Sequence, residues 1–576
     1  MRTVRRWTAT FRTLIRPAAP ADDAPVTPLT DPGGGRAVVR YSLRTGRRDL
    51  IASGTFTAVH QAAETAVPIA IGVIIDHAVA RHDPAALLIG LAGLAAVFGV
   101  LTFSMRIGLR MGVRGIEGTA HALRVLLTRR VLHPRGIAGE DTTPGNLLSV
   151  AATDAPGVGF YNSAVRRIIG AIGALVVATV ALMTVSPPLG LFILLGLPPW
   201  LWLMRRLAGP VIRHTGAQRA TAADASHQAA DYLRGLRVLA GIGAGTTAAR
   251  RFHHTSDHAR HAAVRAATAR AVYDGVNTVL TGVFLAVVAL FAGILADHGT
   301  ISVGQVVMAV GLAASLIAPF ATITAAIRVV AAAKVSAERV ATVLGAPYAT
   351  AGGGTPAAPP EGPVGLDIPP GIAVRPGELL GVAAGDPADA TRIIDLLARR
   401  TDPPPGTLLL GGADVTGMDP VSVRAAVVVS FHHTDLFTGS VADNVLAAAP
   451  PDRLAPALAA AAADDIRADA PVSEHGLSLS SGQRQRVALA RALAADPPVL
   501  VLHDPTSAVD AATEARVAAG IRTARAGRTT ILITTSPGLL AVTDRVTVIH
   551  DGHPTADGTH AALLSTDPAY RDLVLR

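Results

Sequence analysis

Six stretches of the chain are nearly unbroken apolar runs, each close to the roughly 20 helical residues that cross the hydrocarbon core of a bilayer. They fall near residues 51–75, 86–104, 168–185, 189–204, 276–296 and 306–325, the fourth short and carrying Pro198 and Pro199. Beyond about residue 361 the pattern changes to short apolar runs, such as 379–383 and 499–502, that alternate with helix-period segments. That alternation predicts a soluble α/β domain. A breaker-rich stretch with Gly352, Gly353, Gly354, Pro359 and Pro360 separates the two patterns and reads as a linker. The expected organisation is an arm over 1–40, a transmembrane domain with long cytoplasmic helices over 41–346, a linker over 347–363 and the α/β domain over 364–576.

Arginine placement orients the spans. The connection after the second span holds Arg106, Arg110, Arg114, Arg124, Arg129, Arg130 and Arg135, whereas the short connections on the opposite side hold only Arg81. The positive-inside rule then puts both termini and the α/β domain in the cytoplasm. The two long connections, about 106–167 and 205–274, are helical in pattern and predict helices that continue well past the bilayer. The arm carries Arg2, Arg5, Arg6, Arg12 and Arg16 among Trp7, Phe11, Leu14 and Ile15, without the continuous apolar core of a signal peptide. A helix on the membrane surface and a solvated arm both fit it.

Composition agrees with a polytopic membrane protein: of 576 residues half are hydrophobic and only 16% are charged. The net charge of +9 lies beside apolar segments and lacks interleaved aromatics, which points to anionic head groups and away from nucleic acid. There is no cysteine, so disulfides and thiolate-held metals are excluded. Abundant Ala and Arg with a single lysine, Lys334, suggest a GC-rich bacterial genome and hence a bacterial inner (plasma) membrane.

That lysine count matters because Leu479, Ser480, Ser481, Gly482 and Gln483 read as the Leu-Ser-x-Gly-Gln signature of an ATP-binding cassette. Smaller matches are collinear with it: Gly145, Asn146, Leu147 and Leu148 through Asp154; Leu233 through Leu239; and Ser336, Ala337, Glu338, Arg339 and Val340. Together these resemble a half-transporter of the ABC exporter type. The resemblance implies an α-helical membrane domain of six transmembrane helices followed by an α/β P-loop-type ABC nucleotide-binding domain. It also implies coupling helices that dock on nucleotide domains, here expected near 123–127 and 232–239.

The phosphate-binding side departs from that family. A phosphate loop, G-x-x-x-x-G-K-[ST], needs glycines so that backbone N–H groups reach the phosphates, and a lysine to neutralise them. The corresponding residues are Ala384, Gly385, Asp386, Pro387, Ala388, Asp389, Ala390 and Thr391, of which only Thr391 matches. His503 and Asp504 replace the magnesium-binding Asp and the catalytic Glu, His432 the glutamine between the lobes, and Thr535 the switch histidine. No aromatic residue between Gly362 and Pro376 is available to stack on adenine. His432, His433 and His503 lack the spacing of a metal site, so plain replacement is the reading for them and no metal is assigned.

In the resemblance, each ATP lies between the phosphate loop of one nucleotide domain and the signature of the other. This chain would offer Ser480, Ser481, Gly482, Gln483 and the D-loop residue Asp510 to ATP and Mg2+ held by a second half-transporter with an intact phosphate loop. Two other readings stand beside it: a non-transporting regulatory or scaffold protein, and a self-sufficient homodimeric ATPase. His60, Gln61 and Glu64 in the first span are candidates for contact with an unknown small-molecule, peptide or lipid substrate, polar or cationic. A structural hydrogen bond between spans fits them equally well.

Overall fold

The computed structural model describes residues 29, 33–139, 143–351, 362–369, 371–432 and 435–575. The arginines of the N-terminal arm up to Arg16, the centre of the linker and His433 lie outside the described residues. The chain groups into two units, Met1–Thr128 with Pro144–Gly345, and Arg129–Thr143 with Ala346–Arg576.

Among the described residues the secondary structure of the first unit is entirely helical. After a short helix, Gly35–Thr45, come six long helices: Arg47–Ile74, Pro84–Val131, Ala155–Val185, Pro187–Arg234, Gly245–Asp297 and Val303–Gly345. Five of them contain a stretch long and apolar enough to cross a membrane; the fourth includes side chains outside the described set. The second, fourth and fifth are 48, 48 and 53 residues long, roughly 70–80 Å at the rise of an α-helix and well beyond a bilayer core. Leu88 and Ile89 on the second helix are 70% and 74% exposed, as apolar side chains facing lipid would be.

Small residues and a few polar clasps hold the long helices together, as expected where lipid gives little hydrophobic drive between helices. A Cβ on Gly72 would lie 2.5 Å from the Gly304 carbonyl oxygen, so the first and sixth helices touch backbone to backbone there. Asp76, in the π-helical turn Ile75–Val79, accepts from the Gly304 N–H at 2.9 Å and from the Ser302 hydroxyl, locking the same crossing. At the other end, Asp154 accepts from Ser336 Oγ at 2.8 Å and forms an ion pair with Arg339 at 3.1 Å. Arg339 also donates to Asn146, so two of the collinear motifs meet in space. Glu338 accepts from the Gly35 N–H at 2.8 Å and ties down the first short helix.

The second unit is built on a six-stranded sheet in the order His553–Gly558, Arg545–His550, Leu379–Ala384, Thr529–Ile533, Val499–His503, Val427–Ser430. All pairings are parallel except that of the edge strand His553–Gly558. Val499, Val501, Ile531 and Ile533 face one core with Ile393 and Ile394; Leu500, Leu502 and Leu532 face another with Val487 and Leu489. Both sheet faces are thus covered, which explains why these strands read as continuous apolar runs. A smaller antiparallel sheet is ordered Ile372–Val374, Leu366–Ile368, Leu409–Leu410, Ala413–Asp414.

Arg525 is the pivot of one edge of this unit. It is 3% exposed, donates to Asp496 Oδ1 at 2.7 Å, to the Pro497 and Thr529 carbonyls and to Thr530 Oγ1, and burial lowers its pKa to about 10. Replacing it by alanine takes the guanidinium from the Pro497 and Thr529 carbonyls and leaves Asp496 only its more exposed partners Arg528 and Arg453, a loss expected to be about 3 kcal/mol. Thermal unfolding of the full chain should show this as a lowered midpoint for Arg525→Ala. Arg525→Lys should give a smaller drop, because the charge returns without the planar fork.

Candidate functional site

The degenerate phosphate-side positions gather at the carboxyl ends of the parallel strands, the region where open α/β sheets bind ligands. The strand Leu379–Ala384 ends, Gly385 donates its N–H to the Ile549 carbonyl, and the helix Pro387–Leu397 begins at once. Pro387 and Ala388 are thus already in the first helical turn. Asp386 is the N-cap and accepts the Ala388 N–H at 2.8 Å, so the chain's own carboxylate holds the helix end that would receive phosphate.

Asp389, 5% exposed, accepts the Gly552 N–H at 2.8 Å and pairs with Arg392 at 3.4 Å. Ala390 is buried at 6% exposure, and Thr391 donates its hydroxyl to the Pro387 carbonyl one turn back. Two carboxylates, a proline without an N–H and no lysine do not fit a magnesium triphosphate. Any affinity here would have to overcome repulsion from Asp386 and Asp389.

The His432 and His503 rings are 5.7 Å apart, and His503 Nε2 lies 3.5 Å from an Asp504 carboxylate oxygen. Asp504 has a left-handed backbone (φ 44°) and donates its N–H to the Ile533 carbonyl, while Thr535 is exposed after the strand Thr529–Ile533. His432, His503 and Asp504 therefore meet in one place. Among the described residues no three His, Asp or Glu side chains are grouped as metal ligands would be.

The signature end is built differently. Ser480 caps the helix Ser481–Ala494 in a reciprocal box: its Oγ accepts the Gln483 N–H at 3.2 Å, and Gln483 Oε1 accepts the Ser480 N–H at 3.0 Å. Ser480 and Ser481 are exposed, and this 14-residue helix points its positive end outward. Gly482 must be glycine, because a Cβ there would lie 2.8 Å from the Ala508 carbonyl oxygen. Gln485 closes the contact, accepting the Ala508 N–H at 2.8 Å and donating to Ser507 Oγ at 2.6 Å.

Signature helix and D-loop are therefore one rigid piece. Asp510 caps the next helix, Ala511–Ala524, through the Thr513 N–H and hydroxyl, and these bonds hold its carboxyl below the usual range. Beside the signature a cavity of about 370 Å3 is lined by His432, Asp435, His475, Ser481, Arg484 and Gln485.

The second unit also holds a contact that the sequence reading missed. Residues 123–127, expected to form a coupling helix, instead lie inside the uninterrupted helix Pro84–Val131, with Leu123 and Leu127 buried. The chain turns only after Val131, and the turning segment packs with the linker. Tyr348 is sandwiched between the Arg130 and Arg135 guanidiniums at 4.1 and 4.0 Å, and Arg130 donates to the Ala346 and Pro347 carbonyls. Arg424 donates to the Pro134 carbonyl. The second expected position holds a short helix, Leu236–Gly241, with Leu233, Leu236, Val238 and Ile242 at least 60% exposed.

In the membrane unit, His60 and Gln61 line a cavity of about 510 Å3 with Thr57, Met105, Leu109, Arg166, Arg167 and Thr322. Glu64 is exposed and is not part of its lining. His60 Nδ1 donates to the Leu101 carbonyl at 3.0 Å, so the ring makes an interhelical bond and borders the cavity at once.

Long helices that reach past a bilayer, fused to a parallel-sheet domain with an exposed signature helix, define a membrane transport subunit with a nucleotide-binding domain. Residues 50–320 match the ABC transporter transmembrane region, and residues 371–507 match the ABC transporter family model. The mycobactin import ATP-binding/permease protein IrtB of Mycolicibacterium smegmatis is 28% identical over 508 residues, 82% of this chain and 86% of that one. The ATP-dependent lipid A-core flippase of Thiobacillus denitrificans is 28% identical over 400 residues, 65% and 69% of the two chains. The solved structure of a bacterial Atm1-family ABC exporter with ATP bound superposes with a TM-score of 0.74 at 21% identity, covering 92% of this chain and 98% of that one. The chain is an ABC half-transporter of exporter-type fold, a membrane domain fused to an ABC nucleotide-binding domain.

The phosphate-side geometry makes a sharp expectation for rescue. Ala390→Lys alone should leave the purified chain with no gain in binding of a fluorescent ATP analogue, since the helix still starts at Pro387 under Asp386. Asp386→Ala should cost about 1 kcal/mol of stability as a lost N-cap, again without nucleotide affinity. Equilibrium titration and thermal unfolding read the two effects.

Proposed function

We propose that this chain is the degenerate half of a heterodimeric ABC transporter. The observation that carries the reading is the contrast between two helix ends in one domain. The end at Pro387 carries the chain's own Asp386 carboxylate, whereas the end at Ser480 is capped by neutral groups alone, the Ser480 hydroxyl and the Gln483 amide, and is backed by the D-loop. The residues that would face a partner's ATP are Ser480, Ser481, Gly482 and Gln483, offering a hydroxyl, backbone N–H groups and the positive end of a helix to a γ-phosphate. The partner half would contribute the lysine, the magnesium-binding Asp and the catalytic Glu. ATP and Mg2+ would thus be bound at one composite site, while the opposite site, bordered by Asp389, Ala390, His503 and Thr535, turns over no nucleotide.

The mechanical role follows from the same arrangement. Closing the two nucleotide domains on ATP would pull on the turning segments of the membrane helices, of which the apolar knuckle Leu236–Gly241 is the one presented for a partner. The spans would then exchange inward-open and outward-open forms around a shared pathway in a bacterial plasma membrane. Both termini lie on the cytoplasmic side in this reading, by the arginine asymmetry of the connections. The substrate class is taken up below.

The test is to purify this chain with its partner half and measure ATPase activity in lipid. Ser480→Ala and Gly482→Asp should each lower the partner-dependent rate at least about tenfold, a loss of ~1.4 kcal/mol or more of transition-state stabilisation. Ala390→Gly should leave it unchanged. Full activity in the Ser480 and Gly482 variants, or vigorous ATP hydrolysis by this chain alone, would overturn the proposal.

A further inference from the structure

The cavity of the membrane unit has a charge character that the spans alone do not suggest. Its polar lining comprises Arg166 and Arg167 from the third helix, Thr57, His60 and Gln61 from the first and Thr322 from the sixth, with no carboxylate among the described residues that border it. Apolar surface from Met105, Leu109, Ala171 and Ala321 makes up the rest. The nearest acidic candidate, Glu64, is exposed and outside the lining, and Asp49 lies against Arg114 at 3.7 Å.

Arg166 is only partly engaged. One guanidinium nitrogen donates to Thr57 Oγ1 at 3.0 Å, while its Nε is buried with no hydrogen-bond partner among the described residues. Leaving a buried guanidinium N–H unmade is costly, and guanidinium is the group best matched to a planar or tetrahedral oxyanion. Arg167 stands next to it, exposed, with no ion pair among the described residues. Two adjacent arginines that repel each other at the edge of an apolar wall call for a negative charge between them. The Arg166–Thr57 bond fixes the guanidinium relative to the first helix, and His60 is anchored through Nδ1, so the polar edge is held in place before a ligand arrives.

We propose that this cavity binds an amphipathic anion, its carboxylate or phosphate on Arg166 and Arg167 and its apolar body against Met105 and Leu109. The inference rests on the transport reading above and assigns its substrate class, in place of a cationic one. A soluble organic anion and an anionic lipid head group share this chemistry.

The full-length chain in phosphatidylcholine nanodiscs can be photolabelled with 4-benzoylphenyl phosphate and the labelled peptides mapped. Label is expected on peptides of the helices Arg47–Ile74 and Ala155–Val185, displaced by phenyl phosphate and not by benzyltrimethylammonium. Arg166→Gln and Arg167→Gln should each reduce it at least tenfold; Arg166→Lys should retain part of it. Arg167→Gln removes an exposed side chain, so the test does not depend on Arg166 variants folding. In nanodiscs containing phosphatidylglycerol, loss of label identifies a lipid head group as the occupant and unchanged label a soluble anion; both support an anion site. Label that survives both glutamine variants, or that the cation displaces equally, overturns the proposal. The assay uses neither ATP nor a partner, so its failure leaves the composite ATP site standing, and failure of that site leaves this one.

Discussion

A carboxylate at a helix N-terminus repels a second anion brought to the same place, and in this nucleotide domain Asp386 is that carboxylate. Its bond to the Ala388 N–H caps the helix that starts at Pro387, directly after the central strand. Asp389 then takes the Gly552 N–H and Arg392, so the space is filled by internal contacts of the domain. In the proposed reading the absent lysine belongs with these two carboxylates. Both sheet faces are covered by continuous cores, so the rest of the domain is held independently of this edge.

The proposed reading turns on two helix ends in one domain. Both lie on the same sheet scaffold and both are exposed, but Asp386 puts a carboxylate at one, whereas Ser480 and Gln483 cap the other reciprocally with neutral groups. Gly482 against Ala508 and Gln485 against Ser507 tie that end to the D-loop, so a displacement of one is a displacement of both. The clasp of Arg130 and Arg135 on Tyr348, with Arg424 on Pro134, similarly makes the segment after the second long helix part of the nucleotide unit.

Much of this was legible in the sequence. The six apolar runs became six long helices, because lipid demands continuous intrahelical hydrogen bonding and leaves a strong compositional trace. The signature was legible because its serine, glycine and glutamine each answer a local backbone need. What escaped was set by tertiary contact. The first turning segment was expected near 123–127, yet Leu123 and Leu127 are simply buried helix residues, and the real turn after Val131 is fixed by arginines whose partners lie some two hundred residues on. Arg166 and Arg167 look in sequence like ordinary positive-inside residues; only their shared cavity with His60 gives them another meaning. Glu64, one turn from His60, was expected to share its surroundings and instead lies outside the cavity lining.

The central claim concerns which chain binds the phosphates. The most direct measurement is to trap the purified heterodimer with MgATP and vanadate, photocleave at the vanadate site and map the cut. The account predicts a single cleaved phosphate loop, on the partner, with one trapped nucleotide per pair and the peptide containing Asp386 to Thr391 intact. Cleavage within that peptide, or two trapped nucleotides per pair, would contradict it.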